Sequence, residues 1–209
     1  GKDKIYIQGV DKLNSAEYDI ISDRIVAGTY IIAALMLKSI LEVKDFNPEH
    51  LSSLIKILNK MGAKIDIRKN SVLVNNNKTL KSYDIETLPY PGFPTDLQAQ
   101  LMALLCLVDG NSSIRETVFE NRFMHVPELN RLGAKIKVKK DVAFIQGNRK
   151  FKGAQVMASD LRASVSLVLA ALCAEGETII NRVYHLDRGY EKIEETIGKL
   201  GPNITRQKN

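Results

Sequence analysis

One short pattern occurs three times along the chain: Lys60-Met-Gly-Ala-Lys-Ile-Asp-Ile67, Arg131-Leu-Gly-Ala-Lys-Ile-Lys-Val138 and Lys199-Leu-Gly-Pro-Asn-Ile-Thr205. Each reads as a helix end, a glycine stop and an alternating strand. The spacing is about 70 residues, which makes the chain a tandem of related units. The repeats are expected at residues 21–82, 83–150 and 151–209. Each holds a mostly apolar helix and a more amphipathic one, and an apolar helix must be buried on every side. The expected fold is α/β (α+β): three repeated units, each of two helices and a small sheet, arranged around buried helices. No domain boundary is expected inside it.

Apolar helices are expected over Arg24–Leu37, Thr95–Val108 and Leu161–Ala174, and amphipathic ones over residues 48–61, 123–132 and 191–200. Hairpins are expected from Lys64–Ile67 with Val72–Val74 and from Lys135–Val138 with Ala143–Gln146. Further strands are expected at Lys4–Gly9, Tyr18–Ile21, Ser39–Val43, Ser113–Val118, Thr178–Val183 and Asn203–Arg206, with a surface turn over Asn75–Lys81.

Two constellations are chemically informative. Leu88-Pro-Tyr-Pro-Gly-Phe-Pro94 is too rich in proline to continue a helix or central strand, so it forms a stiff turn. Thr95 or Asp96 then caps the helix that follows. Asp96 has two readings, a plain cap or a base that takes a proton from a substrate hydroxyl. Asp23 with Arg24, Thr95 with Asp96, and Asp160 with Arg162 stand at equivalent helix starts, which on one face would favour an anion. Arg122 and Arg188 lie in polar-aromatic loops at matching places. Each reads either as a surface ion pair with its neighbouring acid, Glu120 or Asp187, or as a bidentate grip on a carboxylate or phosphate.

Composition removes several function classes. Hydrophobic residues make up 44% and charged residues 26%, ordinary for a globular domain. No apolar run is long enough to span a bilayer, and the opening residues do not read as a signal peptide. Cys106 and Cys173 lie in apolar helical runs and read as buried thiols of a cytoplasmic protein. His50, His125 and His185 have no ligand spacing, so no metal is expected. The net charge of +6 suits an anionic partner, but no basic run with interleaved aromatics points to nucleic acid.

Phe93-Pro-Thr-Asp-Leu-Gln-Ala-Gln100, Glu116-Thr-Val-Phe-Glu-Asn-Arg-Phe-Met-His-Val-Pro-Glu-Leu129, Gly153-Ala-Gln-Val-Met-Ala-Ser-Asp-Leu-Arg-Ala-Ser164, His185-Leu-Asp-Arg-Gly-Tyr-Glu191 and Asp23-Arg-Ile-Val-Ala-Gly-Thr29 resemble the bacterial UDP-N-acetylglucosamine 1-carboxyvinyltransferases. The likeness covers the whole chain. It implies an enolpyruvyl-transferase inside-out α/β barrel made of two lobes, each of three repeats. It also implies transfer of the enolpyruvyl group of phosphoenolpyruvate to the 3-hydroxyl of UDP-N-acetylglucosamine, the first committed step of peptidoglycan synthesis, without a cofactor.

Only the C-terminal lobe is resembled. The chain is therefore expected to be an incomplete part, inactive without the N-terminal lobe that carries the family's catalytic cysteine loop. Neither Cys106 nor Cys173 sits in that loop's motif. By resemblance, Asp96 deprotonates the sugar hydroxyl, and Thr95 and Val118 line the sugar-nucleotide site. Arg188 binds the phosphoenolpyruvate carboxylate, with Arg122 and Arg162 nearby. The competing readings are a 5-enolpyruvylshikimate-3-phosphate synthase-like transferase, a homologue that binds the sugar nucleotide without chemistry, and a non-catalytic RNA-binding repeat module.

Overall fold

The computed structural model describes residues 4–75 and 78–207. Three helices form its centre: α1 (Arg24–Met36), α3 (Gln98–Leu107) and α5 (Leu161–Leu172). Their sequences are apolar on nearly every side, and burial follows: Ile31, Ile32, Leu101, Met102, Leu104 and Leu167 are all within 1% of full burial. α3 packs against both α1 and α5. The outer helices α2 (Ser52–Lys60), α4 (Val126–Arg131) and α6 (Ile193–Gly198) each bury one stripe only, such as Leu54, Ile55 and Leu58 of α2. Gly62, Gly133 and Gly201, the glycines of the threefold pattern, all adopt positive φ just beyond these helices. A side chain there would be strained, which is why the pattern keeps glycine.

Sheets flank the helices. β1 (Ile40–Lys44), β2 (Ile65–Ile67) and β3 (Ser71–Asn75) form an antiparallel sheet in the order β1-β3-β2. β4 (Ile85–Glu86), β5 (Asn111–Arg115), β6 (Lys135–Lys139) and β7 (Val142–Gln146) form the second, in the order β4-β5-β7-β6. β4 runs parallel to β5, and Ile136 pairs with Ile145 so that both face the core. β8 (Gln155–Met157) and β9 (Ile179–Asn181) form a parallel pair.

Several expectations need correction. Lys4–Gly9, Tyr18–Ile21 and Asn203–Arg206 form no strand. Ile5, Ile7 and Ile20 are each more than 85% exposed. Tyr6-Ile-Gln-Gly9 even echoes Phe144-Ile-Gln-Gly147 at the end of β7, but alternation makes a strand only where a neighbour completes the ladder. The Asn203–Arg206 stretch is held instead by Arg206, which pairs with Asp187 and Glu194. β4 and β8 were not expected. They are too short, at two and three residues, to show a period. β5 ends at Arg115 and not at Val118, because the Val118 and Phe119 amides turn to the Glu116 carboxylate. Residues 76 and 77 of the expected surface turn lie outside the described residues.

Candidate functional site

The proline-rich turn closes on itself: the Leu88 amide donates to the Phe93 carbonyl and the Gly92 amide to that of Pro89. Ser53 Oγ ties it to α2 through the Gly92 carbonyl, and Phe93 is buried beneath it. Pro94 is extended and opens a 3-10 helix, Thr95–Leu97, that leads into α3. The expected cap at Thr95 or Asp96 is thereby corrected. Pro94 occupies the cap position, no side chain caps this start, and the Leu97 amide bonds the Pro94 carbonyl. At the two equivalent places the aspartates do cap. Asp23 Oδ1 accepts from the Ile25 and Val26 amides, and Asp160 Oδ1 accepts from those of Arg162 and Ala163.

The Asp96 carboxylate is thus free of the helix and turns to guanidiniums. Arg122 Nη2 lies 2.8 Å and Arg162 Nε 3.3 Å from the same oxygen, Oδ1. The two arginine side chains are 20% and 17% exposed and Asp96 is 39% exposed, so the cluster sits at a surface but is partly shielded from water. Arg122 also lies 4.8 Å from the Phe119 ring, which orients its plane. Its expected alternative partner, Glu120, is not the one it takes. His125 is buried beside this cluster. Desolvation pushes its pKa down to about 4 against the pull of Asp160, so the imidazole is neutral at pH 7. Arg24 stands 5.3 Å from the Tyr90 ring, joining the first helix start to the proline turn.

Thr95 and Val118 meet at Glu116. Thr95 Oγ1 donates to one carboxylate oxygen at 2.8 Å, and the Val118 amide to the other at 3.0 Å. Residues 116–124, with Val138, Lys140 and Asp141, line a cleft of about 680 Å³ that includes Val118 and Arg122. Its volume lies within the ordinary range for small-molecule sites. A second, more enclosed space of about 270 Å³, between α1, α5 and α6, is lined mainly by apolar side chains and holds none of the candidate residues.

Arg188 is placed differently. It ends a 3-10 helix, Val183–Arg188, and is exposed. Asp187, its expected partner, is taken by Arg206 through two bonds of 2.7 and 2.9 Å, which also hold the Asp187 carboxyl below its ordinary pKa. Arg188 therefore has no ion pair among the described residues. It does not touch Asp96. Its loop is nonetheless fixed next to Arg162: Gly189 packs against Leu161, where an added Cβ would come within 2.9 Å.

The next residue, Tyr190, reaches the centre of the molecule. Thr29 Oγ1 donates to the Ile25 carbonyl, so the Tyr190 hydroxyl, 2.8 Å away, is the donor to Thr29. Gln100 Nε2 donates to the same threonine oxygen and to the Asp96 carbonyl. Asp96, Thr95, Val118, Arg122 and Arg162 are thus joined directly or through one carboxylate, and Arg188 through Tyr190.

Sequence reasoning assigned no role to Glu116, Thr87, Thr29, Gln100 or Tyr190. The available signal was polarity inside otherwise apolar helices, as at Thr29 and Gln100. Among the described residues, no three His, Cys, Asp or Glu side chains are grouped to hold a metal ion. No helix among them is long and apolar enough to cross a membrane. Chemically, the cluster offers a partly exposed acceptor carboxylate and two guanidiniums for which an incoming anion would compete.

The chain is similar to known transferases. It is 53% identical over 205 residues to the UDP-N-acetylglucosamine 1-carboxyvinyltransferase of Pelagibacter ubique, covering 98% of this chain and 49% of that protein. It is 50% identical over 205 residues to the enzyme of the same name from Hydrogenovibrio crunogenus, again covering 98% of this chain and 49% of that protein. The chain therefore spans about half the length of the curated relatives it matches. Among solved structures, it superposes on the enolpyruvyl transferase NikO from Streptomyces tendae with a TM-score of 0.81 and 31% identity, over 88% of this chain and 44% of that one. EPSP synthase from Acinetobacter baumannii gives a TM-score of 0.74 at 18% identity, over 90% and 48% of the two chains, and so shares the fold. The fold is accordingly that of an enolpyruvyl-transferase lobe. The family model described as EPSP synthase (3-phosphoshikimate 1-carboxyvinyltransferase) matches residues 1–197, and the chain belongs to that family.

Proposed function

We infer that the chain is the C-terminal lobe of a UDP-N-acetylglucosamine 1-carboxyvinyltransferase, a cytoplasmic enzyme of peptidoglycan synthesis. Its substrates are phosphoenolpyruvate and UDP-N-acetylglucosamine, and the missing N-terminal lobe supplies the second wall and the catalytic cysteine. The names and identities of the relatives support this choice over a shikimate-pathway transferase.

One observation carries the assignment of roles. Of three equivalent aspartates, only Asp96 is released from capping and held by two guanidiniums. Asp96 takes the proton of the sugar 3-hydroxyl while the sugar oxygen bonds to the enolpyruvyl carbon, and the bond from that carbon to the phosphate oxygen breaks so that phosphate departs with the bonding pair. Arg122 and Arg162 compensate the Asp96 charge until the substrate anions engage them, which frees the carboxylate for the hydroxyl. Thr95 and Val118 line the sugar-nucleotide side. Arg188, left without an acid by Arg206, grips the phosphoenolpyruvate carboxylate. Lobe closure brings these cations together and excludes water.

The test is phosphate release from the two substrates by the complete two-lobed protein. Asp96→Asn should lower kcat by about 10²–10⁴-fold, the usual share of a general base. The 209-residue chain alone should give no turnover. Turnover by the isolated chain, or a near-normal kcat in Asp96→Asn, overturns the reading.

A further inference from the structure

We propose that Glu116 is a positioning residue that locks the Thr95–Asp96 turn to the Val118–Phe119 loop, so that the two edges of the sugar-nucleotide subsite form one rigid unit. The proposal rests on the function inferred above for that subsite. Glu116 is only 6% exposed and has no ion-pair partner among the described residues. A carboxylate buried without a cation is unusual and needs donors in its place.

It has four. Oε1 accepts from Thr87 Oγ1 at 2.8 Å, the Val118 amide at 3.0 Å and the Phe119 amide at 3.1 Å, while Oε2 accepts from Thr95 Oγ1 at 2.8 Å. Every partner donates, so the group serves as the acceptor in all four bonds. Thr87 is itself fixed: its hydroxyl oxygen accepts from the Thr117 amide, and its carbonyl accepts from the Thr117 hydroxyl. Both ends of the proline-rich turn, at Thr87 and Thr95, and the 116–119 loop therefore converge on one side chain. Two of the contacts reach residues assigned to substrate, Thr95 and Val118. The carboxylate of Asp96 is one residue from the clasp. Glu116 faces the polypeptide with every bond it makes, so it acts through those residues and not on the reacting atoms.

Glu116→Gln preserves shape but places an NH₂ donor where two faces of the carboxylate now accept. Either Thr95 or the Thr87–Val118–Phe119 set must lose its bond. In the complete two-lobed protein we expect the KM for UDP-N-acetylglucosamine to rise about 10-fold or more, by misplacement of contacts. The KM for phosphoenolpyruvate should change little.

In the 209-residue chain, hydrogen exchange at the Val118 and Phe119 amides should accelerate in Glu116→Gln while α3 core amides keep their protection. Thr95→Val, which removes one donor without touching the carboxylate, should raise the same KM, and the two substitutions together should be less than additive. An unchanged KM in an active wild-type background overturns the proposal. So does additive behaviour of the pair, or uniform loss of protection across α3. If the wild-type complete protein makes no product, the functional reading fails instead, and the exchange experiment still decides the clasp.

Discussion

The difference between Asp96 and its two counterparts can be measured as stability. Asp160 Oδ1 accepts from two backbone amides at 2.8 and 3.0 Å, so Asp160→Ala leaves both N–H groups of α5 without that partner. Losing such a cap costs about 1 kcal/mol, within a range of about 0.5–2. For a chain of this length that lowers Tm by about 2–4 °C per kcal/mol.

Asp96→Ala removes no cap, since the Leu97 and Gln98 amides bond to Pro94 and Thr95 carbonyls. It removes two ion pairs whose acid is 39% exposed. Each pair is worth ~0.2–1 kcal/mol at low salt, discounted further by solvent screening. At 1 M salt the Debye length is about 3 Å and little of that remains. The expected result is a loss of about 1 kcal/mol for Asp160→Ala at low and high salt. For Asp96→Ala the loss should shrink to within ~0.5 kcal/mol at high salt.

Thermal denaturation at two salt concentrations, with amide exchange at residues 97–98 and 162–163, makes the comparison. Salt-independent destabilisation by Asp96→Ala equal to that of Asp160→Ala, with faster exchange at Leu97 and Gln98, would show that Asp96 holds the helix start after all. Asp96 would then be a structural cap like its two counterparts and not the base.

Two other outcomes follow from buried titratable groups. His125 has a folded pKa of about 4 against 6.5 in the open chain, so the unfolded state takes the proton first. Stability should be full above pH 6.5 and fall as pH drops toward 4, by at most about 1.4 kcal/mol per pH unit. His125→Leu should flatten that part of the pH–stability curve, measured by urea denaturation. Burial pushes the thiol of Cys106 up to about 12 and that of Cys173 up to about 11. Neither should react measurably with a disulfide reagent at pH 7.5 until denaturant is added, because the thiolate is the reactive form.

The parts of the fold written in local chemistry were legible. Glycine after an amphipathic helix, and helices apolar on all sides such as Ile31 to Met36, have one physical solution each. Elements that depend on a distant neighbour were not. Ile85–Glu86 is a strand only because β5 lies beside it, and Lys4–Gly9 has strand chemistry but no pairing partner among the described residues. At the candidate site, residue types announced Asp96 and the arginines, but not their partners. Proximity alone would pair Arg188 with Asp187, whereas Arg206, far along the chain, claims that acid. Glu116 carried no signal because a carboxylate at a strand end is ordinarily solvated.

The meeting of Tyr190, Thr29 and Gln100 has a mechanical consequence. The second and third parts of the polypeptide each send one donor to a hydroxyl oxygen of the first, so the strap bearing Arg188 is geared to α1 and α3. The hydrogen bond itself is neutral and worth about 1 kcal/mol net, and it acts together with burial of the Tyr190 ring among Val165, Val168, Leu186, Ile193 and Ile197. A polar tie and an apolar anchor on the same side chain therefore set where the strap sits, and with it where the Arg188 guanidinium is presented.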